Sequence, residues 1–383
     1  MRIMSVLGTR PEAIKLAPLL RRLSIASGVE SVVCVTGQHR EMLEQVNSLF
    51  GIVPDVNLDI MTLSQSLTHV TSATLGGLER VLQRYRPDWV VVQGDTSSAF
   101  AASLAAFYAR TPVAHVEAGL RTGNPYSPWP EEINRRLIAC VAARHFAPTL
   151  GAKENLIREG IREADIDVTG NTVIDALLLV RDMLHTDAWL AAQQRRHFDF
   201  LDPGRRLILV TGHRRENFGG GIERVCRALA QLADRGDVQV VYPVHLNPTV
   251  QAAARDILSD TGHVHLLPPL DYLPFVWLME QSYLIITDSG GVQEEAPSLG
   301  KPVLVTRNTT ERPEAVAAGT VQLVGTDPEQ LLRQTAKLLD EPVAYQAMAR
   351  AHNPYGDGQA TPRIIKRLLS MGSATDAANN ECV

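Results

Sequence analysis

Gly8-Thr9-Arg10-Pro11-Glu12 is followed about one turn later by Lys15. Pro11 suits the first turn of a helix, so Arg10 and Lys15 would flank a helix N-terminus, whose free N–H groups and positive dipole end attract anions. Two apolar runs end in Gly94-Asp95-Thr96-Ser97-Ser98 and in Glu117-Ala118-Gly119. Pro130-Glu131-Glu132 then starts a helical pattern with Arg135 one turn after Glu131, on the same face. Further on, Thr211-Gly212-His213-Arg214-Arg215-Glu216-Asn217 precedes three glycines, and Asp288-Ser289-Gly290-Gly291 begins a helix that carries Glu295 one turn in. Glycine there lets backbone approach a phosphate, and Glu295 is placed for a sugar hydroxyl. Thr309-Thr310-Glu311-Arg312-Pro313 puts Arg312 at another helix start. Carboxylates beside clustered cations can move a proton while an anion is held or released.

Each feature also has an ordinary reading. Gly290-Gly291 can be a simple turn, Asp95 an N-cap, and Glu131 with Arg135 a surface pair of little energetic weight. His39, His69, His185 and His197 read as structural or exposed. His213 differs, because it sits between a strand and a glycine-rich turn, beside two arginines. The functional reading rests on convergence: most candidate strands end in a polar or flexible group.

The elements that must position these groups follow from periodicity. Short β-branched runs alternate with helical spacing along nearly the whole chain, which implies βαβ units and parallel sheets. Candidate strands span 3–7, 31–36, 89–93 and 112–116, then 207–210, 238–243, 264–267, 283–287, 302–305 and 321–324. Their near-continuous apolar character suits strands covered on both faces. The expected architecture is α/β: two Rossmann-like doubly wound domains facing across a cleft. The expected divisions are an N-terminal domain over 1–170, a second Rossmann-like domain over 171–355, a C-terminal helix over 356–372 returning to the first domain, and a frayed tail over 373–383. Residues 171–196 read as helices, and 121–130, with Gly123, Pro125, Pro128 and Pro130, reads as a loop able to act as a lid. In such sheets ligands bind beyond the carboxyl ends of the strands.

The 383 residues exceed one ordinary core. At 45% hydrophobic and 21% charged, the composition is that of a folded globular chain. A net charge of -5 offers no global basic field for nucleic acid or an anionic membrane. Cys34, Cys140, Cys226 and Cys382 lack metal-site or disulfide spacing, which fits a reducing cytoplasm. No apolar run approaches the ~20 residues that span a bilayer.

Taken in order through both halves, Gly8-Thr9-Arg10-Pro11-Glu12-Ala13-Ile14-Lys15, Gly37-Gln38-His39-Arg40, Gly94-Asp95-Thr96, His115-Val116-Glu117-Ala118-Gly119-Leu120-Arg121, Pro130-Glu131-Glu132-Ile133-Asn134-Arg135, Gly212-His213-Arg214-Arg215-Glu216-Asn217 and Asp288-Ser289-Gly290-Gly291-Val292-Gln293-Glu294-Glu295 resemble the non-hydrolysing bacterial UDP-N-acetylglucosamine 2-epimerases. The resemblance runs from residue 1 to about 368. It implies interconversion of UDP-N-acetylglucosamine and UDP-N-acetylmannosamine without metal or nicotinamide, in a homodimer that supplies surface polysaccharide. It implies that Asp95, Glu117, Glu131 and His213 are catalytic and that Arg10, Lys15, Asp95, Glu117, Arg135 and His213 contact the substrate. Ser289, Gly290, Gly291, Glu295 and Arg312 would hold the UDP part, with Phe275 and the backbone of Leu270 at the uracil. Gln38, His39 and Gln65 would form a regulatory site.

These groups suit that reaction. The C2 hydrogen of an N-acetylhexosamine has no neighbouring carbonyl, so direct removal would leave an unstabilised carbanion. Departure of UDP from C1 makes the hydrogen acidic, and the enzyme then needs cations for the diphosphate and a carboxylate near C2. A nicotinamide epimerase is set aside because no Gly-x-Gly-x-x-Gly follows a candidate strand and no Tyr-x-x-x-Lys occurs. A hydrolysing epimerase, a UDP-sugar glycosyltransferase and a sugar-nucleotide sensor are the competing readings.

Overall fold

The computed structural model describes residues 1–37, 40–62, 65–214 and 217–372. Gln38, His39 and the expected tail 373–383 lie outside the described residues. Two units are resolved, Met1–Ala176 together with the chain from Tyr355 onward, and Leu177–Pro354. The first division falls inside the helix Thr172–Thr186.

In the first unit β1 (Arg2–Leu7), β2 (Glu30–Val35), β3 (Val56–Asn57), β4 (Trp89–Gln93), β5 (Val113–Val116), β6 (Arg144–Ala147) and β7 (Ile166–Val168) form one sheet in the order β3-β2-β1-β4-β5-β6-β7. Every pairing is parallel. In the second unit β8 (Arg206–Thr211), β9 (Val238–Pro243), β10 (Val264–Leu267), β11 (Leu284–Thr287), β12 (Val303–Val305) and β13 (Val321–Leu323) pair in the order β10-β9-β8-β11-β12-β13, again all parallel. Both orders are doubly wound, so each sheet has a point where the strand order reverses: between β1 and β4, and between β8 and β11. Adjacent helix N-termini diverge there and leave room for a ligand beyond the strand ends.

The central strands are apolar on both faces because helices cover both. Val6, Val90, Val92, Ala102 and Leu78 share one core in the first unit, and Val210, Ile286, Leu229 and Leu258 share one in the second. Each fully buried Val, Leu or Ile contributes roughly 1.5–3 kcal/mol, which fixes the sheet edge on which polar groups stand. The helix Ala360–Ser370 belongs to the first unit, against the helix Arg10–Leu23. Its first N–H groups, Ala360 and Thr361, donate to the buried Asp175 carboxylate at 3.2 and 2.8 Å.

Three strands lie outside the sequence expectation. β3 is two residues long, and β7 (Ile-Asp-Val) lies at the far edge. β6, Arg-His-Phe-Ala, contains no β-branched residue, yet His145 is buried in it beside His115 of β5. Burial pushes the His145 ring down to about 4 and the His115 ring to about 3, so both are neutral and read as core. The segment 171–196 forms the helices Thr172–Thr186 and Ala188–His197, parted at Asp187, whose carboxylate accepts from Trp189 and Leu190 N–H.

Candidate functional site

In the first unit the buried Glu12 carboxylate spans the reversal point. It accepts the N–H groups of Gly8 at 3.0 Å and Thr9 at 2.7 Å, after β1, and the Thr96 hydroxyl at 2.8 Å, after β4. Burial raises the Glu12 carboxyl and these hydrogen bonds oppose the rise. Glu12 thereby sets the spacing of the two turns that carry Arg10 and Asp95.

Asp95 is not the cap of the helix Ser97–Tyr108. Thr96 is, its hydroxyl accepting from Ala99 N–H at 2.9 Å. This leaves the Asp95 carboxylate for Arg135, 2.6 Å away, while Asn134 donates to the Asp95 carbonyl at 2.8 Å. Arg135 and Asn134 lie on the helix Glu131–Val141, which Glu131 begins, half-buried. Arg135 also pairs with the fully buried Glu132 at 3.3 Å. Glu132 accepts Thr122 N–H at 3.0 Å and Gly123 N–H at 3.2 Å, so one carboxylate ties the loop 121–130 to the helix that holds Asp95.

Glu117 follows β5. Its φ of +65° is a left-handed conformation, uncommon for a residue with a Cβ. Lys15 meets its Oε2 at 2.5 Å, and the Asn171 amide donates to the same oxygen at 3.0 Å. Gly119, at φ +91°, completes the turn, and a Cβ there would stand 2.2 Å from the Ala152 carbonyl oxygen. Only glycine fits. His115, two residues before Glu117, donates from Nε2 to the Gly94 carbonyl at 2.7 Å, since a carbonyl oxygen can only accept. Asp95 and Glu117 thus stand at the carboxyl ends of neighbouring strands, each held by its own cation.

The second unit repeats the device. Asp288, 1% exposed after β11, accepts His213 N–H at 2.9 Å, Arg214 N–H at 2.8 Å and the Asn217 amide at 3.2 Å, all from the turn after β8. His213 Nδ1 lies 3.4 Å from the same carboxylate. Burial lowers the His213 ring, Asp288 opposes this, and Arg214 and His245 add to it. His245 stacks on His213 with ring centroids 5.3 Å apart.

Two guanidinium groups approach the start of the helix Gly290–Glu295. A Cβ on Gly290 would stand 3.6 Å from an Arg312 guanidinium nitrogen and 3.9 Å from one of Arg214. Arg312 caps the helix Pro313–Ala317 and pairs through Nε with the fully buried Glu294. Arg307 pairs with Glu311 at 2.8 Å. Burial raises the Glu311 carboxyl, but the Arg307 hydrogen bond and the charges of Arg307 and Arg214 outweigh it and hold the group at about 2. Glu295 is buried and accepts the Tyr272 hydroxyl at 2.6 Å. Tyr272 begins the helix Tyr272–Gln281, which also carries Phe275; Leu270 lies just before it, and both are half-buried.

Arg10, Asp95 and Glu117 thus follow β1, β4 and β5 in the first unit, with Lys15 and Arg135 on the two carboxylates; His213 and Ser289 follow β8 and β11 in the second, with Arg312 beside Gly290, while Leu270 and Phe275 follow the edge strand β10. Gln65 is half-buried ahead of the helix Leu67–Tyr85. The sequence reading missed the roles of Glu12, Glu132, Asn171, Tyr272 and Asp288. Thr9-x-x-Glu12 carried a capping-box signal, and Asp288 is the first residue past a strand. Tyr272 carried none, because its partner is 23 residues away.

Comparison with known proteins decides the family. A family model for UDP-N-acetylglucosamine 2-epimerase matches residues 21–369. The chain is 56% identical over 369 residues to the UDP-N-acetylglucosamine 2-epimerase of Escherichia coli K12, covering 96% of this chain and 98% of that one. The chain belongs to the UDP-N-acetylglucosamine 2-epimerase family. The UDP-GlcNAc 2-epimerase of Neisseria meningitidis, solved bound to UDP-GlcNAc, superposes with a TM-score of 0.91 at 50% identity, covering 97% of this chain and all of that one. The enzyme of Methanocaldococcus jannaschii, solved with UDP-GlcNAc and UDP, superposes with a TM-score of 0.81 at 33% identity, covering 97% and 100%. The family is one of isomerases, and its non-hydrolysing bacterial branch is the one this chain matches. Among the described residues no helix is long and apolar enough to cross a membrane, and no group of His, Cys, Asp and Glu is arranged to hold a metal.

Proposed function

We propose that the chain interconverts UDP-N-acetylglucosamine and UDP-N-acetylmannosamine by eliminating UDP across C1 and C2 and adding it back. A carboxylate takes the C2 proton; the C2–H electrons form the C1=C2 bond of 2-acetamidoglucal, and the C1–O electrons leave with the diphosphate. Return of UDP to C1, with a proton delivered to the other face of C2, gives the epimer. The balance requires no redox partner.

The observation that carries this reading is the pair of cation-held carboxylates at adjacent strand ends, Asp95 on Arg135 and Glu117 on Lys15. An ionised carboxylate is the form that accepts a proton, and Glu131 begins the helix that positions Arg135. The proposed diphosphate contacts are His213, Ser289, Gly290, Gly291 and Arg312, with Arg10 also toward the anion; Glu295, oriented by Tyr272, would meet a hydroxyl of the nucleoside, and Leu270 and Phe275 the base. Arg214 and Arg307 add positive charge to the same turn. By family resemblance we place the reaction in the cytoplasm, in a homodimer serving surface polysaccharide synthesis.

Incubation with UDP-N-acetylglucosamine in heavy water tests the reading. The expected proton spectrum loses the C2 signal and gains UDP-N-acetylmannosamine, while the phosphorus spectrum shows no accumulating UDP. Accumulating UDP would indicate hydrolysis instead, and an unexchanged C2 would indicate a sensor or a transferase.

A further inference from the structure

Asn171 stands at the end of the first unit's sheet, where the chain enters the helix Thr172–Thr186, and is 1% exposed. Its backbone N–H donates to the Tyr355 carbonyl at 2.7 Å. Its Oδ1 accepts from Val173 N–H at 3.1 Å, which makes it the N-cap of that helix. With Oδ1 so used, the amide nitrogen faces Glu117 and donates to Oε2 at 3.0 Å, beside Lys15 on the same oxygen.

We propose that Asn171 is a positioning residue for Glu117: it orients a carboxylate whose backbone is left-handed and keeps that oxygen an acceptor through turnover. This rests on the epimerase reading above. A cap alone does not require asparagine, because Asp and Ser cap about as well as Asn. The donor toward Glu117 does require it. Aspartate is nearly isosteric and would keep the cap, but would set a second carboxylate oxygen against Glu117, where like charges repel. Serine would also keep the cap, but is too short to reach.

The experiment compares wild type, Asn171→Asp and Asn171→Ser for kcat and KM with UDP-N-acetylglucosamine and for the melting temperature. Asn171→Ser, which keeps the cap and adds no charge, is expected to melt within about 2 °C of wild type, whereas Asn171→Asp should melt lower because it buries a second carboxylate against Glu117. Asn171→Asp should keep KM within about threefold while kcat falls about 100-fold, the lower range of proton-transfer effects. Asn171→Ser, which loses the donor without adding charge, should lose about tenfold in kcat. If Asn171→Asp misfolds, the kcat loss of Asn171→Ser at unchanged KM carries the test alone. The proposal is overturned if Asn171→Asp turns over within threefold of wild type or no worse than Asn171→Ser, which is the outcome for a residue that only caps a helix. Wild-type exchange at C2 reports separately on the reaction: without it, the epimerase reading fails and this inference fails with it.

Discussion

The two reversal points use the same scaffold for different chemistry. In each, a buried carboxylate accepts backbone N–H groups and a side-chain donor: Glu12 from the turns after β1 and β4, and Asp288, itself just after β11, from the turn after β8. What those turns then present differs. The first unit presents carboxylates paired with cations, Asp95 with Arg135 and Glu117 with Lys15. The second presents guanidinium groups and His213 around two glycines. Topology selects where a ligand meets each sheet, and on the proposed reading the groups at the strand tips divide the reaction, with proton transfer at the first unit's carboxylates and the anion held chiefly by the second unit.

The largest effects should separate the two regions by kinetic parameter. Asp95→Asn, Glu117→Gln and Glu131→Gln should each lower kcat by about 100 to 10,000-fold with little change in KM. Steady-state kinetics check this, and three variants with near wild-type turnover would remove the first unit's assigned role. Next in size, Glu12→Ala and Asp288→Ala each strand several buried donors and should each cost about 2 to 4 kcal/mol in denaturant unfolding. If one is costly and the other neutral, the equivalence of the two straps is broken. Smaller again, Arg312→Lys keeps the charge but not the fork, and should raise KM about tenfold while kcat stays within about threefold. A fall in kcat alone would move Arg312 into the chemical step.

A further effect, outside the site, is one of pH on stability. His115 and His145 ordinarily titrate near 6.5 and are depressed by burial to about 3 and about 4. Folded rings therefore bind protons less readily than unfolded ones. Their contribution is complete above pH 6.5 and is lost as pH falls through that value toward 4 and below, at up to about 1.4 kcal/mol per pH unit for each ring. His115→Gln can retain a donor to the Gly94 carbonyl but cannot take the proton, so its unfolding midpoint should fall less steeply between pH 6.5 and 4.5. An unchanged slope would show that other groups govern acid unfolding.

Much of this was legible because residues immediately after a parallel strand are constrained in place: Asp95, Glu117, His213 and Ser289 needed only the strand ends to be located. The parallel sheets were legible from the apolar runs of β1, β4, β8 and β11. The rest was hidden for physical reasons. β6 escaped notice because Arg144 and His145 look polar, and only burial makes His145 a neutral core residue. Glu132 and Asn171 act through partners distant in sequence, Thr122 and Glu117, and sequence spacing does not encode such contacts. Asp95 carried two readings, cap or site, and the neighbouring Thr96 hydroxyl removes the first by taking the cap.

The central claim is that the anomeric C–O bond breaks and re-forms in the course of epimerisation, and one isotope measurement addresses it. UDP-N-acetylglucosamine carrying oxygen-18 in the sugar–phosphate bridge is turned over, and phosphorus NMR follows the label. Elimination predicts scrambling of the label into the non-bridging oxygens of the β-phosphate at least as fast as UDP-N-acetylmannosamine appears. Epimerisation with the label fixed in the bridge would contradict it.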